Sequence, residues 1–165
     1  MTTNAHEDGV TVRVFRVYIR ATAQSVWDAI TDPTWNARYG YQAPSTYDLR
    51  PGGAFRALPS PDMQAAGADG PVLDGVVLEA DPPRRLVQTW RVLWDPELLA
   101  EGFTRVTYEL EEDHGVTRLT VNHDLTGSPR VTALVDGVNP QLGGGWSQTL
   151  SDLKTLLETG TALYA

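Results

Sequence analysis

The chain has 165 residues, of which 41% are hydrophobic and 21% are charged, and its formal net charge is −8. A chain of this length is expected to form one domain with a substantial core. Its basic residues are scattered rather than clustered. This argues against nucleic-acid partners and anionic membranes, because both require a basic footprint. Since the chain has no cysteine, disulfides, thiolate metal ligands and cysteine nucleophiles are excluded.

No apolar run approaches the roughly 18 residues of a membrane span, and the first residues lack the pattern of a secretory signal. We therefore expect a cytoplasmic protein that does not insert into a membrane. The polar residues 1–9 are predicted to form a flexible N-terminal tail, residues 10–160 a single domain, and residues 161–165 a C-terminal tail.

The first segment of the chain predicts one strand followed by two short helices. Residues 10–20 alternate apolar and polar side chains, as in a strand with one solvent-facing side. Thr22 is expected to cap a short helix, which Asp32 and Pro33 end, because the residue before proline avoids the helical conformation. Residues 35–41, rich in aromatic side chains, are predicted to form a second short helix or turn.

The middle of the chain predicts a series of antiparallel strands. Residues 46–50 and 54–58 indicate a hairpin around a Pro-Gly-Gly turn. Residues 59–71 are dense in proline, glycine and alanine and predict a long mobile loop that could act as a lid. Because short turns join the strands, neighbours in sequence should pair. Further strands are predicted at residues 72–80, 85–94, 104–111 and 116–124, with a short helical turn at 131–135.

The last regular element is predicted to be a helix over residues 142–158. Its large apolar side chains recur at helical spacing and form one stripe: Leu142, Trp146, Leu150, Leu153, Leu156 and Leu157. Such a stripe requires a partner surface. Since most preceding segments indicate strands, we expect this helix to pack on a sheet.

Four segments, taken in order, resemble one protein family. They are residues 19–21 with the sequence IRA together with 25–33 with SVWDAITDP, residues 48–56 with DLRPGGAFR, residues 82–90 with PPRRLVQTW, and residues 117–123 followed by Gly145, Trp146 and the spaced leucines. The chain is similar to the START-like, or SRPBCC, superfamily, in the branch of the activator of heat-shock-protein ATPase. The likeness extends over about residues 10–160.

This resemblance implies an α+β helix-grip fold. In that fold a curved antiparallel sheet of about six or seven strands wraps around a long C-terminal helix, and two short helices follow the first strand. It also implies a cavity between sheet and helix, which in relatives holds lipids, sterols, polyketides or other apolar molecules. The chain has Tyr39 and Tyr41 where a tryptophan is expected before Pro44, so the mouth of the cavity is expected to differ.

The candidate ligand-binding residues are chiefly aromatic, because tryptophan and tyrosine combine a large apolar area with one polar group. For each of them, ordinary core packing is the alternative interpretation. The candidates are Trp35, Tyr39, Tyr41, Gln88, Trp90, Trp94, Tyr108, His123, Trp146 and Leu150.

His123 is the candidate catalytic residue. It shares a strand face with Leu119 and Val121, so its imidazole is expected to point inward. There it would bind a ligand carbonyl or act as an acid or base near neutral pH. The alternative is a histidine whose nitrogens are hydrogen-bonded by a neighbouring hydroxyl or backbone group.

The sequence contains no metal-binding spacing, no GxSxG motif and no phosphate-binding loop followed by lysine, so we expect neither metal nor cofactor. Three functions remain. The first is binding of a small apolar or aromatic molecule, the second is a cyclase or aromatase activity in the same cavity, and the third is a chaperone-cofactor interaction. A homodimer is among the assemblies that we consider.

Overall fold

The computed structural model describes residues 9–164, which contain one seven-stranded antiparallel sheet. The spatial order of the strands is β1-β7-β6-β5-β4-β3-β2, so β1 and β2 form the two edges. Apart from the β1–β7 pair, hydrogen-bonded neighbours are also neighbours in sequence, as the short connections predict. In chain order the strands are β1 (Val12–Ile19), β2 (Ser45–Tyr47), β3 (Ala54–Ala57), β4 (Leu73–Asp81), β5 (Arg85–Val92), β6 (Thr104–Asp113) and β7 (Val116–Asp124).

The helices lie between these strands and at the end of the chain. Two short helices follow β1, which confirms that prediction, and the predicted turn at 131–135 is the middle of a longer helix. No helix within residues 9–164 is both long enough and apolar enough to cross a membrane. The predicted N-terminal tail, apart from residue 9, lies outside the described residues. The helices are α1 (Ala23–Thr31), α2 (Pro33–Asn36), α3 (Pro61–Ala65), α4 (Pro96–Ala100), α5 (Pro129–Asp136) and α6 (Gly145–Thr159), with a 3₁₀ helix at Pro140–Leu142.

Several short helices begin at a proline that directly follows a polar residue. Asp32, Ser60 and Asp95 each accept a hydrogen bond from a backbone N–H in the first turn of α2, α3 and α4. Proline suits the next position, because its fixed φ is helical and its missing N–H would have no partner there. The prediction of a long mobile loop over residues 59–71 is therefore wrong in part, since α3 occupies its first half. Helix α4 was not predicted.

Helix α6 begins at Gly145, three residues later than predicted. Gly143 and Gly145 have φ values of 89° and 66°, which a continuing α-helix cannot accommodate. A Cβ atom at Gly145 would lie 2.1 Å from the backbone oxygen of Val135, so glycine lets the start of α6 approach the end of α5 closely. Leu142, predicted to begin the apolar stripe, lies instead in the 3₁₀ helix.

The C-terminal half of α6 is tied to β1 by polar contacts. Lys154 Nζ donates a hydrogen bond to the backbone oxygen of Tyr18 at 2.6 Å, and Glu158 accepts one from the backbone N–H of Arg20 at 3.2 Å. Leu153 and Leu156 are buried in the core beside these contacts. Burial of each leucine side chain stabilises the fold by about 1.5–3 kcal/mol. The helix thus closes the concave side of the sheet.

Asp152 is a buried carboxylate on the inner side of α6. One of its oxygens accepts a hydrogen bond from the backbone N–H of Gly40 at 2.8 Å, and the other accepts one from the backbone N–H of Leu163 at 2.8 Å. This residue therefore holds both the segment after α2 and the C-terminal segment against the helix.

We expect Asp152→Ala to lower the free energy of unfolding by about 2–4 kcal/mol, because it leaves two backbone N–H groups without their charged acceptor. Asp152→Asn should cost less, since one carbonyl oxygen remains. Ser151→Ala, on the exposed side of the same turn, is the matched control. Urea unfolding of the three variants measures these differences. A change below about 0.5 kcal/mol for Asp152→Ala would contradict this role.

Candidate functional site

A cavity of about 1010 Å³ lies between the concave side of the sheet and the N-terminal half of α6. The sheet contributes side chains from β2, β3, β4, β5, β6 and β7, and α6 contributes one face. Most of these side chains are aromatic or aliphatic, so the walls are largely apolar. The main wall residues are Tyr47, Phe55, Ala57, Leu73, Trp90, Tyr108 and Leu119 from the sheet, and Gly145, Trp146, Thr149, Leu150 and Leu153 from α6.

Three connecting segments form the mouth of the cavity. They are residues 39–43 after α2, residues 66–71 after α3, and residues 140–143 before α6. Tyr41 joins two of them, because its hydroxyl donates a hydrogen bond to the backbone oxygen of Leu142 at 2.9 Å. Tyr41, Leu142 and Trp94 are all partly exposed and line the cavity, so apolar surface is present where a ligand would enter.

The structure brings seven of the ten predicted ligand-binding residues to the cavity surface. These are Tyr39, Tyr41, Trp90, Trp94, Tyr108, Trp146 and Leu150. The other three lie elsewhere. The exposed ring of Trp35 lies under the guanidinium group of Arg38, while Gln88 and His123 are fully buried behind the cavity wall.

Sequence reasoning missed two aromatic residues of the sheet wall. Tyr47 and Phe55 are paired across the β2–β3 hairpin, and their ring centroids are 4.8 Å apart. The hairpin itself was predicted, but its short strands give too few alternations to show which side faces inward. In the structure Phe55 is buried, in contrast to its neighbours Ala54 and Arg56, and in the sequence the only sign of this is one large apolar residue between a small and a charged one.

Tyr39 is a fixed part of the wall. Its hydroxyl donates a hydrogen bond to the backbone oxygen of Ala29 in α1 at 2.8 Å. Burial raises the pKa of Tyr39 far above its ordinary value, with smaller contributions from Tyr108 and Asp152. The hydroxyl therefore stays protonated at neutral pH and anchors the segment after α2.

His123 connects the sheet to the start of α6. Its Nδ1 accepts a hydrogen bond from Trp146 Nε1 at 3.0 Å, which leaves the proton on Nε2. Nε2 donates to Thr104 Oγ1 at 2.7 Å, and that hydroxyl in turn donates to the backbone oxygen of Trp90 at 3.0 Å. The ring also lies edge-on to Trp90, with centroids 5.1 Å apart. Both nitrogens therefore bind protein groups.

Burial lowers the pKa of His123 to about 3, and the opposing effect of Asp124 is smaller. The imidazole is neutral at physiological pH, so it neither carries a positive charge nor donates a proton as an imidazolium. Of the roles considered for His123 from sequence, this geometry favours a histidine hydrogen-bonded by a neighbouring hydroxyl. His123 thus holds the Trp146 indole in the cavity wall.

Gln88 and two tyrosines form a polar group at one side of the largely apolar wall. Tyr47 Oη donates a hydrogen bond to Gln88 Oε1 at 2.8 Å. The hydroxyls of Tyr47 and Tyr108 lie close enough to affect each other, and burial raises the pKa of both well above the ordinary value. Gln88 thus orients Tyr47 from behind the wall, as a buried amide with a satisfied acceptor.

We expect the free energy of unfolding to fall by about 2 kcal/mol between pH 7 and pH 5 because of His123. The unfolded chain binds a proton near the ordinary pKa of 6.5, whereas the folded chain binds it only near 3. The stabilisation that the neutral His123 provides is therefore fully present above about pH 6.5. It is lost progressively as the pH falls from there towards 3.

His123→Gln should flatten this pH dependence, and urea unfolding at pH 5, 6 and 7 measures it. Asp124 and Glu158 have lowered pKa values. Their contributions to the free energy of unfolding are therefore lost only in more acidic solution and do not interfere with the measurement between pH 5 and pH 7. An equal pH dependence in parent and variant would show that another group is responsible.

Residues 20–158 match the protein family described as "Activator of Hsp90 ATPase homolog 1-like protein". No curated protein matches the chain. Within residues 9–164, no three histidine or acidic side chains are arranged so that they could hold a metal ion.

Solved structures share the fold. The crystal structure of CalU16 from Micromonospora echinospora is 24% identical, with a TM-score of 0.63, over 93% of this chain and 81% of that protein. MLL2253 from Mesorhizobium loti is 22% identical, with a TM-score of 0.66, over 90% and 97% of the two chains.

DynU16, described as a putative protein in the dynemicin biosynthetic locus, is 23% identical, with a TM-score of 0.63. The aligned region is 92% of this chain but 48% of DynU16, so the chain spans about half the length of that protein. The fold and the family match agree with the four motifs in the sequence. The chain is therefore a helix-grip protein of the SRPBCC superfamily and belongs to the family of activator of Hsp90 ATPase homolog 1-like proteins.

Proposed function

We propose that the protein binds a small apolar or aromatic molecule in the cavity between the sheet and α6. The observation that carries this proposal is the cavity itself, about 1010 Å³ of space behind an accessible mouth. Sites for small molecules typically have volumes of about 300–1,000 Å³ and mainly apolar walls with a few polar groups. This cavity has both properties.

The aromatic side chains favour a planar ligand. Trp90, Tyr108 and Trp146 surround one side of the cavity, and the Tyr108 and Trp146 rings are arranged edge-to-face with centroids 6.0 Å apart. Aromatic rings stabilise each other in edge-to-face or offset-stacked geometry beyond the effect of buried area. A ligand with fused rings would extend this arrangement into the cavity.

The segment from α3 to residue 71 covers one side of the mouth. Met63 at its start and Pro71 at its end both line the cavity. Gly67, between them, has a φ of 105°, which permits a turn that other residues would adopt with strain. This segment therefore acts as the cover under which a ligand enters.

Binding is favoured over catalysis by the chemistry of the walls. A cyclase or aromatase would require an acid or base in contact with the substrate. His123 lies behind the wall with both nitrogens hydrogen-bonded, and the tyrosine hydroxyls at the wall have raised pKa values. The occurrence of the DynU16 gene in a biosynthetic locus fits a carrier of a biosynthetic product or intermediate as well as an enzyme.

We expect Leu73→Trp to weaken binding of the uncharged dye Nile red at least tenfold, because the larger side chain would occupy the cavity. Leu78→Trp, the same substitution on the outer face of β4, should leave the affinity unchanged, since Leu78 is 46% exposed. Nile red emission, titrated against each variant, measures the affinity, and circular dichroism confirms that both variants fold. Absence of dye binding to the parent protein, or equal affinities of both variants, would contradict binding in this cavity.

A further inference from the structure

The cavity has an unusual charge composition. Among the described residues that line it, none is lysine, arginine or histidine. Asp69 is the one ionisable carboxylate among them, and it is exposed at the mouth. The whole chain carries a formal charge of −8. An anionic ligand would therefore move against the electrostatic potential of the protein and find no cationic side chain inside.

Burial of an isolated carboxylate in an apolar site is strongly unfavourable unless a positive group or several hydrogen-bond donors compensate. The N-terminus of α6 lines the cavity through Gly145 and Trp146, and its positive potential corresponds to about half an elementary charge. The backbone N–H of Gly144 at this end already donates to Gln148 Oε1, at 2.6 Å. This end of the helix is therefore a poor substitute for a lysine or arginine.

The polar group of the wall suits an uncharged oxygen instead. Tyr108 is 7% exposed and lines the cavity together with Tyr47, on the strand next to that of Gln88. Because Tyr47 gives its hydrogen to Gln88 Oε1, the remaining hydrogen-bonding capacity of the two tyrosines is centred on Tyr108 Oη. A hydroxyl both donates and accepts, so it can pair with a ligand hydroxyl or carbonyl.

We propose that the cavity selects uncharged aromatic molecules that carry a hydroxyl or carbonyl oxygen, that Tyr108 Oη binds this oxygen, and that carboxylates are excluded. This inference rests on the proposed binding function and specifies the chemical class of its ligand. Long-chain fatty acids and aromatic acids fall outside that class, whereas phenols, alcohols and ketones of polycyclic compounds fall within it.

Three probes with one ring system test the selection: pyrene, 1-pyrenemethanol and 1-pyrenecarboxylate. Each is titrated into the protein at pH 7, and quenching of tryptophan emission measures its affinity. We expect 1-pyrenemethanol to bind at least tenfold more tightly than 1-pyrenecarboxylate and more tightly than pyrene. Binding of the carboxylate as tightly as the alcohol would overturn the inference, while the proposed binding function would stand.

Two matched variants test the role of Tyr108. Tyr108→Phe removes one hydroxyl from the wall and should weaken binding of 1-pyrenemethanol roughly three- to tenfold, the effect of one hydrogen bond, with pyrene unaffected. Tyr18→Phe removes a hydroxyl from the outer face of β1 and should change neither affinity, since Tyr18 is exposed. Equal loss of pyrene and alcohol binding in Tyr108→Phe would indicate altered packing and overturn the assignment of this contact.

A gain-of-charge variant provides the complementary test. Thr149→Lys places a cation on the cavity face of α6 and should tighten binding of 1-pyrenecarboxylate at least tenfold relative to the parent protein. No improvement in a folded Thr149→Lys variant would show that charge is not what excludes the acid. Failure of all three probes to bind the parent protein would refute the proposed function itself, and with it the inference.

Discussion

The hydrogen bond from Trp146 to His123 determines how the C-terminal helix closes the sheet. Further along α6, Lys154 and Glu158 hold the helix close to β1. At its N-terminal end the contact is made through the large indole of Trp146, which keeps the helix away from the sheet. The C-terminal end of α6 therefore lies close to the sheet, whereas the Trp146 side chain separates its N-terminal end from the sheet. This difference leaves space beneath the helix. The cavity is thus a consequence of where this helix is attached.

The hydrogen bond from Trp146 also explains the protonation state of His123. The imidazole must accept a hydrogen bond from Trp146 and donate one to Thr104, and a neutral ring with its proton on Nε2 does both. An imidazolium has no acceptor nitrogen, so protonation would break the contact with the helix. Structure and electrostatics therefore favour one tautomer. An imidazole in solution can act as an acid, a base or a ligand, but His123 only supports the cavity wall through its hydrogen bond with Trp146.

The periodicities of the sequence predicted most of the fold. Strands β4 to β7 were located to within about two residues, and the apolar stripe of the last helix was identified by its spacing. The helix starts were less well predicted. The pairs Asp32-Pro33 and Asp95-Pro96 end one element and begin the next, and sequence reasoning considered only the first of these functions. Gly145, the first residue of α6, marks a close approach to the end of α5, and a glycine-rich stretch does not reveal from sequence which element lies against it.

Sequence patterns alone were enough to predict the sheet, the closing helix, the inward direction of His123 and the aromatic character of the candidate ligand site. These properties follow from alternation along strands and from composition, which are local quantities. Which inward side chains reach the cavity, in contrast, depends on how the helix packs across the sheet. Tyr108 and His123 point to the same side of adjacent strands, yet one lines the cavity and the other lies behind Trp146. That difference depends on where α6 crosses the sheet, and the position of this crossing is set by contacts between residues more than twenty positions apart.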